Sequence, residues 1–472
     1  MTIDKARRRD TPARIVTFAV MVAFLFILTF SGGASRGDAL SQLVVRAASL
    51  LAVSIVLVIA GFDRLRAYRA PLWFVAAMAA LIAAQLIPLP YALWSGLAGR
   101  ADFATGDALA GLGRIWRPLN LTPDAGWNSL FSLLPAFAGI CLFACLPSQR
   151  RIHILLILVA IALLSGIIGL LQLTDPGSPL YFYRVQSRGF AVGLFANRNH
   201  QALLLVMSLP ILAVLLLQWR TARVSIFQRF LIFAVACAFL LPLIVITGSR
   251  AGMGAMPLGL VAAVALFWHR RKELFGKPKG KRAQRLPLLA VAAACVTPIA
   301  LIGLGIMSSR AIGIQRLFDS SFEADDRLAA FPIFLDLARA YFPWGGGFGS
   351  FPAIYQIAEP THLLGYEYFN HAHSDLLEIV IDGGVAGLVL LVAFVLWWAR
   401  GTLRAWRTDR PSQHETVMLA RLGSVLIGIL LLGSIVDYPL RTPIMSVLFA
   451  LSCCWLCLPQ GWSSRPTPDG GE

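Results

Sequence analysis

The chain has 472 residues, of which 58% are hydrophobic and 14% charged, with a formal net charge of +17 and a mean hydropathy of +0.72. A soluble domain carries about 25% charged residues, so this composition excludes a water-soluble globular protein and requires apolar surface to face lipid. The positive charge does not mark a nucleic-acid binder, because Lys and Arg fall in short clusters between apolar runs, as the positive-inside rule expects.

The N-terminus is basic, with Lys5, Arg7, Arg8 and Arg9. The apolar run after it is long enough to span and ends on no clear cleavage site, so it reads as a first transmembrane helix rather than a cleaved signal. A span needs about 20 mostly apolar residues. Such runs are predicted at 15–31, 41–61, 71–89, 128–146, 152–173, 201–217, 228–247, 252–268, 287–307, 379–399, 417–435 and 442–459. With the N-terminus in the cytoplasm, the inside segments are 63–69, 148–151, 220–229, 269–285 and 400–415, all of them basic. The outside segments are 31–39, 90–127, 174–200, 247–250, 308–378 and 437–441, with mixed charge. The expectation is an all-α polytopic membrane protein of about twelve transmembrane helices with both termini cytoplasmic.

The chain divides into N-terminal transmembrane helices (1–184), a core (185–400) and C-terminal helices with a cytoplasmic tail (401–472). The core holds the large outer loop 308–378, whose apolar stretches, such as 328–341, have helical spacing but are too broken to span; short helices at the membrane surface are expected there. Long structured loops tend to carry function, which directs attention to the outer face. The cysteines (Cys141, Cys145, Cys237, Cys295, Cys453, Cys454, Cys457) lie inside apolar runs and read as small hydrophobes, with no disulfide framework.

Five outer segments carry polar clusters. The segment from Gly193 to His200 reads GLFANRNH; Asn197 and Asn199 suit a sugar or a helix cap, and Arg198 adds a cation. The short turn TGSRAG places Arg250 at the membrane boundary, where a charge is costly unless paired, wet or snorkelling. The stretch DDRLAAFPIFLDLARAYFPWGGGFGSF begins with Arg327 in a helical run and ends in Gly345, Gly346, Gly347 and Gly349, a backbone able to turn sharply and approach a ligand. The segment NHAHSDLLE carries His371, His373, Asp375 and Glu378 where the chain re-enters the membrane. An imidazole there can take a proton from a hydroxyl near neutral pH, with Asp375 or Glu378 orienting it; the H-x-H spacing also suits a metal or a plain polar cap. If the helix already runs from Asn370, then His371, Asp375, Glu378 and Asp382 share a face. Finally, the turn DYPLR offers Arg441 for an anion site or for a local pair with Asp437. Several guanidinium groups gathered at one face would suit a phosphate or pyrophosphate.

Together these segments resemble the O-antigen ligase and O-antigen polymerase superfamily of bacterial envelope proteins. GLFANRNHQA looks like its G-x-F-x-N-x-N segment, TGSRAG like its Ser-Arg turn, and DDRLAAFPIFLDLARAYFPWGGGFGSF like its R…P…G-x-G-x-x-x-F stretch. NHAHSDLLEIVIDGGVAGL looks like its H-x-H-[NS]-x-x-L…G-x-x-G segment, the most specific of the set. The resemblance covers residues 185–400 best, and VDYPLR is similar to a segment near the end of polysaccharide-polymerising members. It implies a metal-independent, cofactor-free glycosyltransferase of GT-C type in the bacterial inner membrane, active on the periplasmic side. The donor would be an undecaprenyl-pyrophosphate-linked glycan, and the acceptor a hydroxyl of lipid A core or of another glycan chain. Membrane lipid and envelope polysaccharide assembly proteins are the further partners expected, and no nucleic acid. Residue by residue, His373 matches the family's catalytic histidine, and Arg250 and Arg327 match its arginines. Asn197, Arg198, Asn199, His371, Asp375, Gly347 and Arg441 are candidate substrate contacts. The sequence departs from the family at Ser374, where Asn is usual, and at Phe331, often Trp. The alternative reading is a secondary transporter or a flippase of envelope lipids or saccharides, but no clear internal repeat and almost no mid-span charge favour it.

Overall fold

The computed structural model describes residues 12–37, 39–147, 150–218, 226–269, 322–364, 369–408 and 414–457. These residues form α-helices joined by turns and loops, a long one running from Gln172 to Arg198, and the described sheet is one two-stranded antiparallel ribbon, β1 (Pro88–Leu89) with β2 (Arg117–Pro118). Among them nine helices are long and apolar enough to cross a membrane: Pro12–Ser31, Leu40–Ala60, Asp63–Gln85, Pro123–Cys145, Arg151–Gln172, Arg198–Gln218, Arg250–Trp268, Asp375–Arg407 and Glu415–Val436. Two shorter apolar helices, Leu231–Ile246 and Pro443–Leu456, stand where two further spans are expected. The expected span at 287–307 lies outside the described residues.

The first four crossings comprise α1 (Pro12–Ser31), α2 (Leu40–Ala60), α3 (Arg69–Gln85), and the pair α6 (Pro123–Phe131) and α7 (Leu134–Cys145). Between α3 and α6 lie α4 (Tyr91–Trp94), α5 (Ala101–Leu109) and the β ribbon. There follow α8 (Arg151–Gln172), α9 (Arg198–Gln218), α10 (Ile226–Ile246) and α11 (Arg250–His269). Helix α9 is apolar all round and buried along its hydrophobic length, as a helix at the centre of a bundle must be. It packs on α8, α10 and α11. After α12 (Phe322–Tyr341) and α13 (Phe351–Ala358), the chain enters α14 (Asp375–Arg407), α15 (His414–Val436) and α16 (Pro443–Leu456). The starts of α9, α11 and α14 and the ends of α10 and α15 meet at one end of the bundle. Toward the other end, Arg64, Arg229 and Arg421 donate to the carbonyls of Cys145, Leu216 and Ala405.

The outer loop has its own apolar core. Phe334 of α12 packs edge-on against Phe351, Tyr355 and Phe369, with Leu337, Tyr341 and Ile381 in the same cluster. The sequence expectation of a surface helix over 328–341 corresponds to α12, which is not among the candidate spans.

Helix α14 is broken at Gly384, whose φ of 57° and ψ of −144° lie outside the helical region. A break inside a span leaves backbone groups that lipid cannot satisfy. The glycine-rich loop after α12 supplies their partners. The amides of Gly346 and Gly347 donate to the carbonyls of Ile381 and Asp382 at 2.9 Å each, and the Val385 amide donates to Pro343 O at 2.8 Å. Asp382 adds a side-chain acceptor for the Gly349 amide, at 3.0 Å. The loop lies so close that a Cβ on Gly345 would stand 2.3 Å from Asp382 O. Its far side is held by the segment before α6, where Leu121 N donates to Gly346 O at 2.9 Å and Asn120 Nδ2 to Phe348 O at 3.0 Å. Arg100, fully buried, donates to the carbonyls of Ala98, Leu119 and Gly345. Burial lowers its guanidinium to about 10, still charged at neutral pH.

Candidate active site

Two of the polar segments singled out in the sequence, 193–200 and 370–378, converge on a third, the turn between α15 and α16. This turn contains Asp437, Tyr438 and the 3-10 turn Pro439–Arg441. Asp437 is buried and faces two other segments, the one that opens α9 and the one before α14. Its Oδ2 accepts from Asn197 Nδ2 at 3.4 Å and lies 3.9 Å from His200 Nε2, while its Oδ1 lies 3.7 Å from His373 Nδ1. Oδ1 also accepts the Tyr438 amide at 2.9 Å, and the Asp437 carbonyl accepts the Asp375 amide at 3.2 Å. The Tyr438 ring stands next to three imidazoles, with centroids 4.4 Å from His371, 5.1 Å from His373 and 5.4 Å from His200.

The H-x-H segment precedes α14 instead of opening it. Ser374 is the N-cap and accepts the Leu377 amide on its hydroxyl at 3.3 Å, the role short polar side chains play at helix starts. The expected common face survives for Asp375, Glu378 and Asp382, which are buried together. His371 reaches that face from outside the helix, with Nδ1 2.9 Å from Glu378 Oε1. His373 has a φ of 47°, the one positive value at a non-glycine residue among those described. Such a backbone is costly unless its surroundings impose it, and it tends to occur at functional sites.

Arg441 does not pair with Asp437. It crosses to α14, with Nε 3.3 Å from Asp375 Oδ1 and Nη2 3.2 Å from Glu378 Oε1. Burial alone would lower this guanidinium; Glu378 and Asp375 outweigh that and raise it. Asp375 is further held by Ser434 Oγ at 3.0 Å and the Leu440 amide at 3.2 Å. Asp375 and Arg441 thus lock the start of α14 to the α15–α16 turn.

The segment before α9 is shaped by buried amides. Gln172 of α8 donates to the carbonyls of Leu180 and Gly193 at 2.8 Å and accepts the amides of Val192 and Gly193. Gly193 has a φ of 58°, and a Cβ there would meet Ser165 Oγ at 2.4 Å. Ser165 also bonds Gln201. Asn197 accepts the Asn199 amide at 2.8 Å, and Asn199 Oδ1 accepts from Ser249 Oγ at 2.7 Å. That last bond ties this segment to the turn that carries Arg250. Arg250 opens α11 with its surface exposed, and Arg198 lies over the Phe190 ring at 4.0 Å. Arg327 stands in the early part of α12, and its side chain lies outside the described residues. Gly347, with a φ of 98°, is packed against Asn120 in the loop that fills the α14 break.

Sequence reasoning missed Asp437 as a hub, treating it only as a neighbour for Arg441, and did not single out His200 or Tyr438. The DYP triplet was the available signal, because a buried acid beside an aromatic at a helix end needs partners.

Below this cluster a cavity of ≈ 240 Å³ runs between α3, α7, α14 and α16. Asp375, Leu440 and Arg441 border it near the polar cluster, and Phe74, Met78, Leu133, Ile379 and Phe394 line it deeper in the bundle. Among the described residues no group of three or more His, Cys, Asp or Glu has the arrangement of a metal site.

Residues 235–392 match the family model described as O-antigen ligase. No curated protein matches the chain. The matched stretch contains Arg250, Arg327, the glycine-rich loop and the H-x-H segment, whereas Asn197, His200 and the turn bearing Asp437 lie outside it.

Proposed function

We propose that this multi-pass membrane protein, which belongs by its residues 235–392 to the O-antigen ligase and polymerase superfamily, moves a glycan from a polyprenyl-pyrophosphate carrier to a hydroxyl on the periplasmic face of the bacterial inner membrane. The observation that carries this reading is the meeting of Asn197, His200 and His373 around Asp437, which brings segments far apart in sequence to one membrane-boundary cluster.

In this reading the acceptor oxygen attacks the anomeric carbon of the donor sugar. Its proton passes to the imidazole of His373, and the bond from the anomeric carbon to the pyrophosphate oxygen breaks with its electron pair leaving on the pyrophosphate. An imidazole suits the first task because its neutral form is available near pH 7. Asp437 stabilises the imidazolium that forms, as a carboxylate beside a catalytic histidine does. Arg250 and Arg327 carry the charge of the departing pyrophosphate, with Arg198 near the same turn; guanidinium groups match phosphate oxygens in geometry as well as sign. Asn197 and Asn199 shape the glycan side of the pocket. Asp375 and Arg441 frame the cluster by holding the start of α14 against the α15–α16 turn. The apolar cavity beneath them is the environment a polyprenyl tail requires.

The acceptor class is read from cells. A deletion strain that accumulates single-unit carrier and loses polymer identifies a polymerase. Long polymer left on the carrier with none on lipid A identifies a ligase. An unchanged glycan profile overturns the reading and favours transport.

A further inference from the structure

Two of the three histidines beside Tyr438 precede α14, and their carboxylate partners differ. His373 stands 3.7 Å from Asp437, whereas His371 makes a full hydrogen bond to Glu378 at 2.9 Å. Both Glu378 oxygens are engaged: Oε1 by His371 Nδ1 and Arg441 Nη2, and Oε2 by the Ala372 amide at 3.0 Å. An ionised carboxylate only accepts, and Arg441 supplies its countercharge. The hydrogen of His371 therefore sits on Nδ1, and in the neutral ring Nε2 carries the lone pair. The ring plane is fixed a second time by Tyr438, 4.4 Å away. The His371 side chain is 15% exposed, against 1% for Glu378, so this imidazole is an accessible end of the chain of contacts that runs Asp375, Arg441, Glu378, His371.

A fixed Nε2 lone pair selects for ligands that carry a proton. A sugar hydroxyl offers one, and an ionised phosphate oxygen does not. Resting on the glycan-transfer reading, we propose that His371 positions the acceptor, taking a hydrogen bond on Nε2 from a hydroxyl of the incoming glycan, and that Glu378 is the positioning residue that fixes its tautomer. His373 then works on the reacting hydroxyl while His371 holds a neighbouring one, both against the Tyr438 ring.

The test uses the full chain in phospholipid vesicles. A polyprenyl-pyrophosphate-linked oligosaccharide serves as donor, and lipid A core or a free glycan oligosaccharide as acceptor in separate runs. His371→Phe keeps a ring against Tyr438 and leaves the Arg441–Glu378 pair intact. It is expected to raise the acceptor KM about tenfold, the worth of one hydrogen bond, with donor KM and kcat at saturating acceptor nearly unchanged. Glu378→Gln is nearly isosteric but loses the charge that favours the Nδ1–H tautomer, and its amide offers one oxygen where the carboxylate accepts from His371, Arg441 and the Ala372 amide, so the ring is no longer fixed. It is expected to raise the acceptor KM in the same way, and Glu378→Asp to restore part of it. Should Glu378→Gln fail to fold, His371→Phe decides the case alone. An unchanged acceptor KM in His371→Phe overturns the proposal, as does a rise confined to the donor KM. Absence of transfer by the wild-type chain with either acceptor overturns the glycan-transfer reading instead.

Discussion

Arg441 reaches across from the α15–α16 turn to hold Asp375 at 3.3 Å and, with the same guanidinium, Glu378 at 3.2 Å. One cation thus sits between two carboxylates of the first turn of α14, both almost without solvent contact. Removing one partner from such a group leaves uncompensated buried charge, which costs far more than the pair itself contributes.

Arg441→Met is therefore expected to destabilise the folded protein by about 3–5 kcal/mol. Thermal unfolding in detergent checks this. A melting temperature equal to wild type would mean that Asp375 and Glu378 find other partners.

His373→Ala, Arg250→Ala and Arg327→Ala are each expected to abolish glycan transfer while membrane insertion and expression stay normal. Transfer assays on membranes from a complemented deletion strain check the first part, and immunoblots of the membrane fraction the second. Full activity in all three variants would remove His373 and both arginines from the mechanism.

Asp437→Asn keeps the side chain's shape and removes its charge. It is expected to lower the transfer rate by at least about 10-fold and by up to about 10⁴-fold, the loss found when the Asp beside a catalytic histidine becomes Asn. Folding should be little affected, because the Asn retains an oxygen to accept the Tyr438 amide. A rate within twofold of wild type would leave His373 working without Asp437.

Gly384→Ala addresses the α14 break. The residue has a positive φ, and a Cβ there would lie 2.1 Å from Pro343 O, so the glycine-rich loop could not dock as it does. The variant is expected to be poorly folded and readily cleaved by protease in the segment 343–349. Wild-type protease resistance would count against the docking.

EDTA is expected to leave the activity of the purified protein unchanged, since the proposed chemistry assigns pyrophosphate charge to arginines. A requirement for added divalent cation would return the H-x-H segment to the metal-ligand reading.

Much of the bundle was legible because spans announce themselves by length and continuous apolarity. The predicted span 201–217 is α9, and 252–268 falls within α11. The pairings at the site were not legible in the same way. Arg441 has an acid four residues before it, and local reasoning offers that acid as its partner. The turn instead aims Arg441 at carboxylates more than 60 positions earlier, while Asp437 is taken up by Asn197, His200 and His373. Sequence spacing carries no record of which side of a turn a side chain leaves from. The glycine-rich segment was equally ambiguous. Its glycines do permit close approach, but what they approach is the backbone of α14; the only local sign of that is the Gly383–Gly384 pair inside an apolar run.

The interruption of α14 has a consequence for how the protein sits in membranes of different thickness. Its lower part, 385–407, packs Phe394 and Trp397 against Phe74 of α3, and Phe394 against Phe449 of α16, and a span in lipid responds to a thicker or thinner hydrocarbon layer by tilting. The upper part, Asp375–Gly383, is not rigidly continuous with it. That piece takes its orientation from Arg441 and from the amides of Gly346 and Gly347, which belong to the outer loop. The histidines thus stand above a break in the helix, and their position is set by the outer loop and the α15–α16 turn as well as by the lower part of the span.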